Sequence, residues 1–309
     1  ENVTLKPMSI EVNQRLNACL EGVPEDIALM IIEALALLSG ETQLISELGS
    51  ISYQERMFRV REAYRALLFY LIDHYIGVIL DMPEVRSSTL AYGDGHRRII
   101  FANSEGTYIE QERVDVTIHM AAMARNNGDV QQSSISLGSL GDFGFVEHLD
   151  DEAREVAQKS VALLKAREVK GGPYTVILDP ILAGVFIHEA FGHLSEADHV
   201  YNDPKMREIM VLGRRFGGDH LNVVDGAQIP DLRGSYKYDE EGVPASRTDL
   251  IREGVLVGRL HSRETAAKMG EKPTGNARSI GYRFPPIVRM TNTFIEPSGS
   301  KVEDLFAGV

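Results

Sequence analysis

Residues 181–199 read Ile-Leu-Ala-Gly-Val-Phe-Ile-His-Glu-Ala-Phe-Gly-His-Leu-Ser-Glu-Ala-Asp-His. The approach to His188 is apolar, so His188 and Glu189 are expected on a partly buried helix rather than at a loop tip. A His-Glu pair followed shortly by a second histidine, here His193, is the arrangement metallopeptidases use. Two neutral imidazoles hold Zn²⁺, and the adjacent carboxylate accepts a proton from water on the metal. The spacing is unusual. Ligands four residues apart lie about 40° from each other around a regular helix, whereas the step from His188 to His193 turns through about 140°. Both rings reach one cation only if the backbone leaves regular α-helix between them. A π-bulge does this, and Gly192 allows the departure cheaply. Spacing alone leaves two readings open, a metal pair and two unrelated helix histidines.

A catalytic zinc site usually takes a third protein ligand. Glu196, Asp198 and His199 are the nearest candidates. Equally, Glu196 and Asp198 make a solvated acidic face, and His199 a surface residue. The single cysteine, Cys19, reads as a small buried residue. One thiol excludes an intrachain disulfide framework and suits a reducing, cytoplasmic compartment.

Upstream of the motif, residues 174–178 read as a short apolar strand that ends at Asp179-Pro180, with a helix from about residue 181. Residues 147–165 are acidic at the front and basic at the back, as a helix prefers. Farther out the period changes to that of strands. Residues 86–92 and 97–102 suggest a hairpin around Gly93-Asp94-Gly95, residues 114–120 alternate apolar and polar, and Asn126-Asn127-Gly128-Asp129 is a turn before a strand over 130–137. His96 and His119 fall there as solvated strand residues. Residues 1–82 read as helical, with Pro24-Glu25-Asp26 at one helix start and Gly40 as a C-cap. The fold class is therefore α+β: a helical part over 1–82, an antiparallel sheet plus helix over 83–170, and a mixed α/β portion over 171–309 that carries the motif.

Composition removes other classes. The 309 residues carry 32 basic against 45 acidic side chains, a net charge of −13 that repels phosphate backbones. No basic run exceeds the pairs Arg97-Arg98 and Arg214-Arg215, so no nucleic-acid partner is expected. The start shows no basic and then apolar leader. The apolar stretches 27–38 and 66–80 are broken by Glu33 and by Asp73-His74, short of the roughly 20 residues a membrane span needs.

The segment His188-Glu189-Ala190-Phe191-Gly192-His193 resembles the His-Glu-x-x-x-His motif of the TldD side of the TldD/PmbA metallopeptidases, formerly called candidate modulators of DNA gyrase. Its surroundings agree: Ala102-Asn103-Ser104-Glu105-Gly106, Gly234-Ser235-Tyr236, Asp239-Glu240-Glu241-Gly242-Val243-Pro244, Gly254-Val255-Leu256-Val257-Gly258, Thr274-Gly275-Asn276-Ala277-Arg278 and the run from Pro285 to Thr293. These blocks keep the family's order over 55–309, whereas 1–54 match nothing in it. The resemblance implies a zinc-dependent peptidase that cuts unstructured polypeptides or precursor peptides. His188 and His193 would be zinc ligands and Glu189 the general base, with a PmbA (TldE) partner or a homodimer. It also implies a cysteine ligand in a C-terminal β-rich domain, which this chain is expected to lack. That absence supports an alternative, a non-catalytic peptide-binding or assembly subunit. Gly234–Pro244 and Gly254–His261 read as hairpins that pack the core or offer an edge to an extended peptide. Asn276 and Arg278 are candidates for a cleft, His220 and His261 for ordinary surface or strand positions, and Ser300 for a capping box that opens a last helix.

Overall fold

A computed structural model describes residues 23–39 and 53–307. Cys19 and Gly40 lie outside the described residues. The chain divides into two compact units, Glu1–Ala91 with His119–Ile135 and Val146–Ala166, and Tyr92–Ile118 with Ser136–Phe145 and Arg167–Val309.

Helices α1 (Glu25–Ser39) and α2 (Tyr53–Leu80) open the first unit. The Phe58–Leu80 part of α2 is long and apolar enough to cross a membrane by length and composition, so the shorter window read from the sequence understated it. The helix is nonetheless tied into its unit by polar contacts. Tyr75, fully buried, donates to the Val146 carbonyl at 2.7 Å and accepts from the Leu149 N–H at 3.1 Å, and His74 meets Asp150 at 2.8 Å.

Strands β1 (Val85–Ala102), β2 (Tyr108–Asn126) and β3 (Asp129–Ser139) form a sheet with β2 in the middle, and each contributes residues to both units. The loops between them are short, which requires antiparallel pairing. The expected turn at Gly93-Asp94-Gly95 is absent, because β1 runs straight through it. Neither glycine adopts a positive φ, and Thr117 Oγ1 donates to the Gly93 carbonyl. The chain reverses instead at residues 103–107. There Asn103 Oδ1 accepts from the Glu105 and Thr107 N–H groups, and Gly106 takes φ 85°. The other predicted turn is present. Asn127 and Gly128 both have positive φ (46° and 99°), which suits the twist of a tight hairpin.

Helix α3 (Asp150–Leu163) closes the first unit, with Asp150, Asp151 and Glu152 at its N-terminus, where the dipole favours them. Its Ala153, Val156, Ala157 and Val161 are buried, as are Ile79, Met120 and Ala122 of the same unit.

Residues 174–178 do not form the expected strand. They run as irregular chain with Tyr174 and Val176 exposed, and only the helix that follows survives, as α4 (Pro180–Ile187). A π-helical turn, a 3₁₀ turn, α5 (Ala197–Asn202) and α6 (Pro204–Ile209) continue it. Then come β4 (Val223–Gly226), β5 (Arg247–Arg252), β6 (Val255–Leu256), α7 (Arg263–Met269), β7 (Ala277–Arg278), β8 (Ile287–Val288) and β9 (Thr293–Ile295). The sheet order is β6-β5-β4-β9, and β5 and β6 pair as a hairpin that reverses at Glu253 and Gly254 (φ 48° and 75°), so Gly254–His261 does not form a hairpin of its own. Helix α8 (Val302–Phe306) starts after Lys301 with no side-chain cap, so the capping box at Ser300 does not form.

The core of the second unit joins Ile187 and Phe191 of the motif segment to Val223, Leu250, Ile251, Leu256 and Met290. Beside it, the buried Asp225 of β4 accepts from Asn276 Nδ2 (2.9 Å), the Thr291 N–H (2.8 Å), Thr291 Oγ1 (2.6 Å) and Thr293 Oγ1 (2.8 Å). This one carboxylate holds the β7 and β9 segments to β4. Asp225→Ala orphans those buried donors and should lower the unfolding free energy by about 3–5 kcal/mol in urea titration. Asp225→Asn, which keeps one acceptor, should cost about 2 kcal/mol.

Candidate metal centre

Helix α4 begins sharply because Asp179 Oδ1 accepts from the Leu182 N–H at 2.9 Å and Pro180 occupies the first turn, where its missing N–H costs nothing. At His188 the winding changes. Residues His188–Gly192 form a π-helical turn, closed by the His193 N–H on the His188 carbonyl. An i→i+5 bond widens the turn by one residue, which is what the five-residue spacing needs. The result is convergence. The two imidazole centroids lie 4.9 Å apart, with ring planes at 80°. One ligand atom from each of His188, Glu189 and His193 lies within 4.8 Å of the others, and none of the three residues is buried.

Gly192 has a role the sequence did not show. Its φ −57° and ψ −51° are ordinary right-handed values, so the π turn does not need glycine for backbone freedom. A Cβ there would stand 2.1 Å from Met290 Sδ. The residue is small so that the turn can seat against Met290, itself buried in the core.

The expectation of a solvated acidic face at Glu196 fails. Glu196 is fully buried, and its carboxylate lies 3.4 Å from His193 Nδ1, 3.2 Å from His199 Nε2 and 3.3 Å from Arg289 Nη1. A buried carboxylate needs such partners, because leaving water uncompensated costs several kcal/mol. Glu196, Asp198 and His199 thus form a second compact group, in which Asp198 also accepts from the Val288 and His199 N–H groups. His261, read as a surface or strand residue, is buried as well. It lies 3.1 Å from Glu271 and 3.2 Å from Thr265. Asn276 is buried on Asp225 and the Arg289 carbonyl rather than in a cleft, whereas Arg278 and His220 are exposed. His96 stands 3.6 Å from Glu112 on the exposed part of the sheet.

A cleft of about 650 Å³ opens beside the histidines. Val185, His188 and Glu189 form one wall, and Ile229, Thr293 and Phe294 the other. Strand β9 is the edge strand of its sheet, so extended backbone borders the His-Glu pair.

Two sequence models of known domains match this chain. The PmbA/TldA metallopeptidase central domain matches residues 47–167, and the C-terminal domain of the same family matches residues 171–309. The chain belongs to the TldD/PmbA family. A metalloprotease of Synechocystis is 48% identical over 77% of this chain and 52% of its own length. The zinc metalloprotease TldD homolog of Saccharolobus solfataricus is 31% identical over 74% and 51%. The chain therefore spans about half the length of these curated relatives. Among solved structures, a candidate modulator of a DNA gyrase from Thermotoga maritima superposes with a TM-score of 0.66 (21% identity, 76% of this chain, 53% of that one). TldE from Thermococcus kodakarensis gives 0.60 (15% identity, 78% and 54%). Both share the α+β fold.

If the π turn is seated by the Gly192–Met290 contact, Gly192→Ala should destabilise the protein by about 1–3 kcal/mol through overpacking. Guanidinium titrations of Gly192→Ala, Met290→Ala and the double variant check this. The two changes should couple, with the double variant more stable than the sum of the single losses.

Proposed function

We propose that this chain carries the metal centre of a zinc-dependent peptidase acting on unstructured polypeptides or precursor peptides. The observation that supports it most is the π turn, which gathers two imidazoles and a carboxylate at the wall of an open cleft. The donor set fits zinc, which takes imidazole nitrogens readily and keeps an open position in catalytic sites. His188 and His193 would hold the ion. A bound Zn²⁺ supplies Lewis acidity, which brings the pKa of water down to about 7 and polarises a carbonyl.

The protein's own groups do the rest. Glu189, exposed at the cleft wall, accepts the proton of the attacking water and returns it to the departing amine. Glu196, buried 3.4 Å from His193 Nδ1, would orient that ring, as carboxylates behind metal-bound histidines do. As the end strand of its sheet, β9 would offer main-chain hydrogen bonds to an extended substrate, which gives binding without strict sequence choice. Exposed apolar side chains on α4, among them Ile181 (79% accessible) and Phe186 (56%), support a TldE-type partner or a second copy against this surface.

Zinc quantification after chelator-free purification tests the reading. About one zinc per chain is expected, lost on His188→Ala. Glu189→Gln should keep the metal and abolish cleavage of an unfolded polypeptide. A wild-type chain without metal would favour the non-catalytic assembly subunit, and normal turnover by Glu189→Gln would remove the base from the mechanism.

A further inference from the structure

A larger cavity of about 820 Å³ adjoins the cleft, and Ile229 lines both. Arg97 and Arg113, from β1 and β2, and Arg278, from β7, stand on its wall. The same three also line a smaller adjacent cavity of about 350 Å³. Three guanidiniums from three strands thus converge on one place in an otherwise acidic chain.

Their donors are largely unspent. The Arg278 guanidinium makes no hydrogen bond or ion pair with any described residue. Arg97 approaches one carboxylate, Glu240, no closer than 3.9 Å. Arg113 donates to the Arg233 carbonyl and forms no ion pair among the described residues. Most nearby acids are engaged elsewhere, and Glu112, on the same wall, lies 3.6 Å from His96 and 4.0 Å from Arg98. Asp115 accepts from Arg233 Nε at 2.9 Å and Nη2 at 3.2 Å, and Glu110 pairs with Arg98. Asp239 accepts the N–H groups of Glu241, Val243 and Ala277, and Glu240 accepts from Ser279. Burial lowers the Arg113 pKa. Asp115 opposes this, while Arg278, Arg97 and Arg233 lower it further. One half-buried guanidinium, Arg113, flanked by two exposed ones, Arg97 and Arg278, offers the planar donors that recognise a carboxylate in two-point fashion.

We propose that Arg97, Arg113 and Arg278 form a carboxylate-binding subsite that anchors the polypeptide substrate where the cavity continues the metal-centre cleft. The anchored group is a peptide's C-terminal carboxylate or an acidic side chain. This deepens the peptidase reading and rests on it for the substrate class. The subsite itself needs neither metal nor turnover.

The test uses fluorescence anisotropy on the full chain bearing Glu189→Gln, so that no cleavage intrudes. Three versions of one labelled, unstructured peptide are compared: a free C-terminus with no acidic side chain, the same peptide amidated, and the amidated peptide with one internal glutamate. At least one carboxylate-bearing peptide should bind about tenfold more tightly than the neutral one, a size typical of hydrogen bonds to a charged group. An advantage for the first assigns the terminus, and for the third the side chain. Arg97→Gln combined with Arg278→Gln should erase the advantage without changing the thermal unfolding midpoint, and the two lysine substitutions should restore part of it. Equal binding of all three peptides, or an advantage that survives the double variant, overturns the subsite. Cleavage of all three by the wild-type chain would then leave the peptidase reading standing, whereas a chain that neither binds nor cleaves any of them overturns both.

Discussion

One backbone hydrogen bond, from the His193 N–H to the His188 carbonyl, brings the residues of the candidate metal centre together. On a regular α-helix the two rings would diverge by about 140°, too far to share an ion. The widened turn closes that angle. Its packing is visible: Gly192 lies against Met290, and Phe191 inserts into the core. The site is thus built on core side chains, not on a loop.

Behind the turn stands a continuous polar frame. Glu196 is fully buried and reaches His193, His199 and Arg289, and the Arg289 carbonyl accepts from Asn276, which in turn donates to Asp225. Asp225 also fixes Thr291 and Thr293, the residues that border the cleft opposite Glu189. A run of polar contacts therefore links His193, through Glu196, Arg289, Asn276 and Asp225, to the edge strand of the cleft. Low dielectric makes each member expensive to leave unpaired, so the two walls are held in register.

Much of this was legible in the sequence, for physical reasons. The mismatch between a five-residue spacing and a helix of 3.6 residues per turn forces a local distortion, and the π turn is that distortion. The Asn127-Gly128 reversal was readable because a tight hairpin needs two positive φ values. Gly93 and Gly95 misled because glycine in a long strand need not mark a reversal: Gly93 allows the close approach of Thr117, and the strand runs on through Gly95. The irregular chain at 174–178 misled because a short apolar run cannot tell whether a partner strand exists. Burial of Glu196 and His261 was hidden for a related reason. Their partners, Arg289 and Glu271, lie 93 and 10 residues away, and only the fold brings them together. The Met290 contact of Gly192 is long-range in the same sense.

X-ray absorption at the zinc edge of the metal-loaded chain tests the central claim most directly. Convergence of His188 and His193 on one ion predicts two imidazole nitrogens in the first shell at about 2.0–2.1 Å, with one lost in His193→Ala. A first shell without histidine, or one unchanged by that substitution, would contradict it.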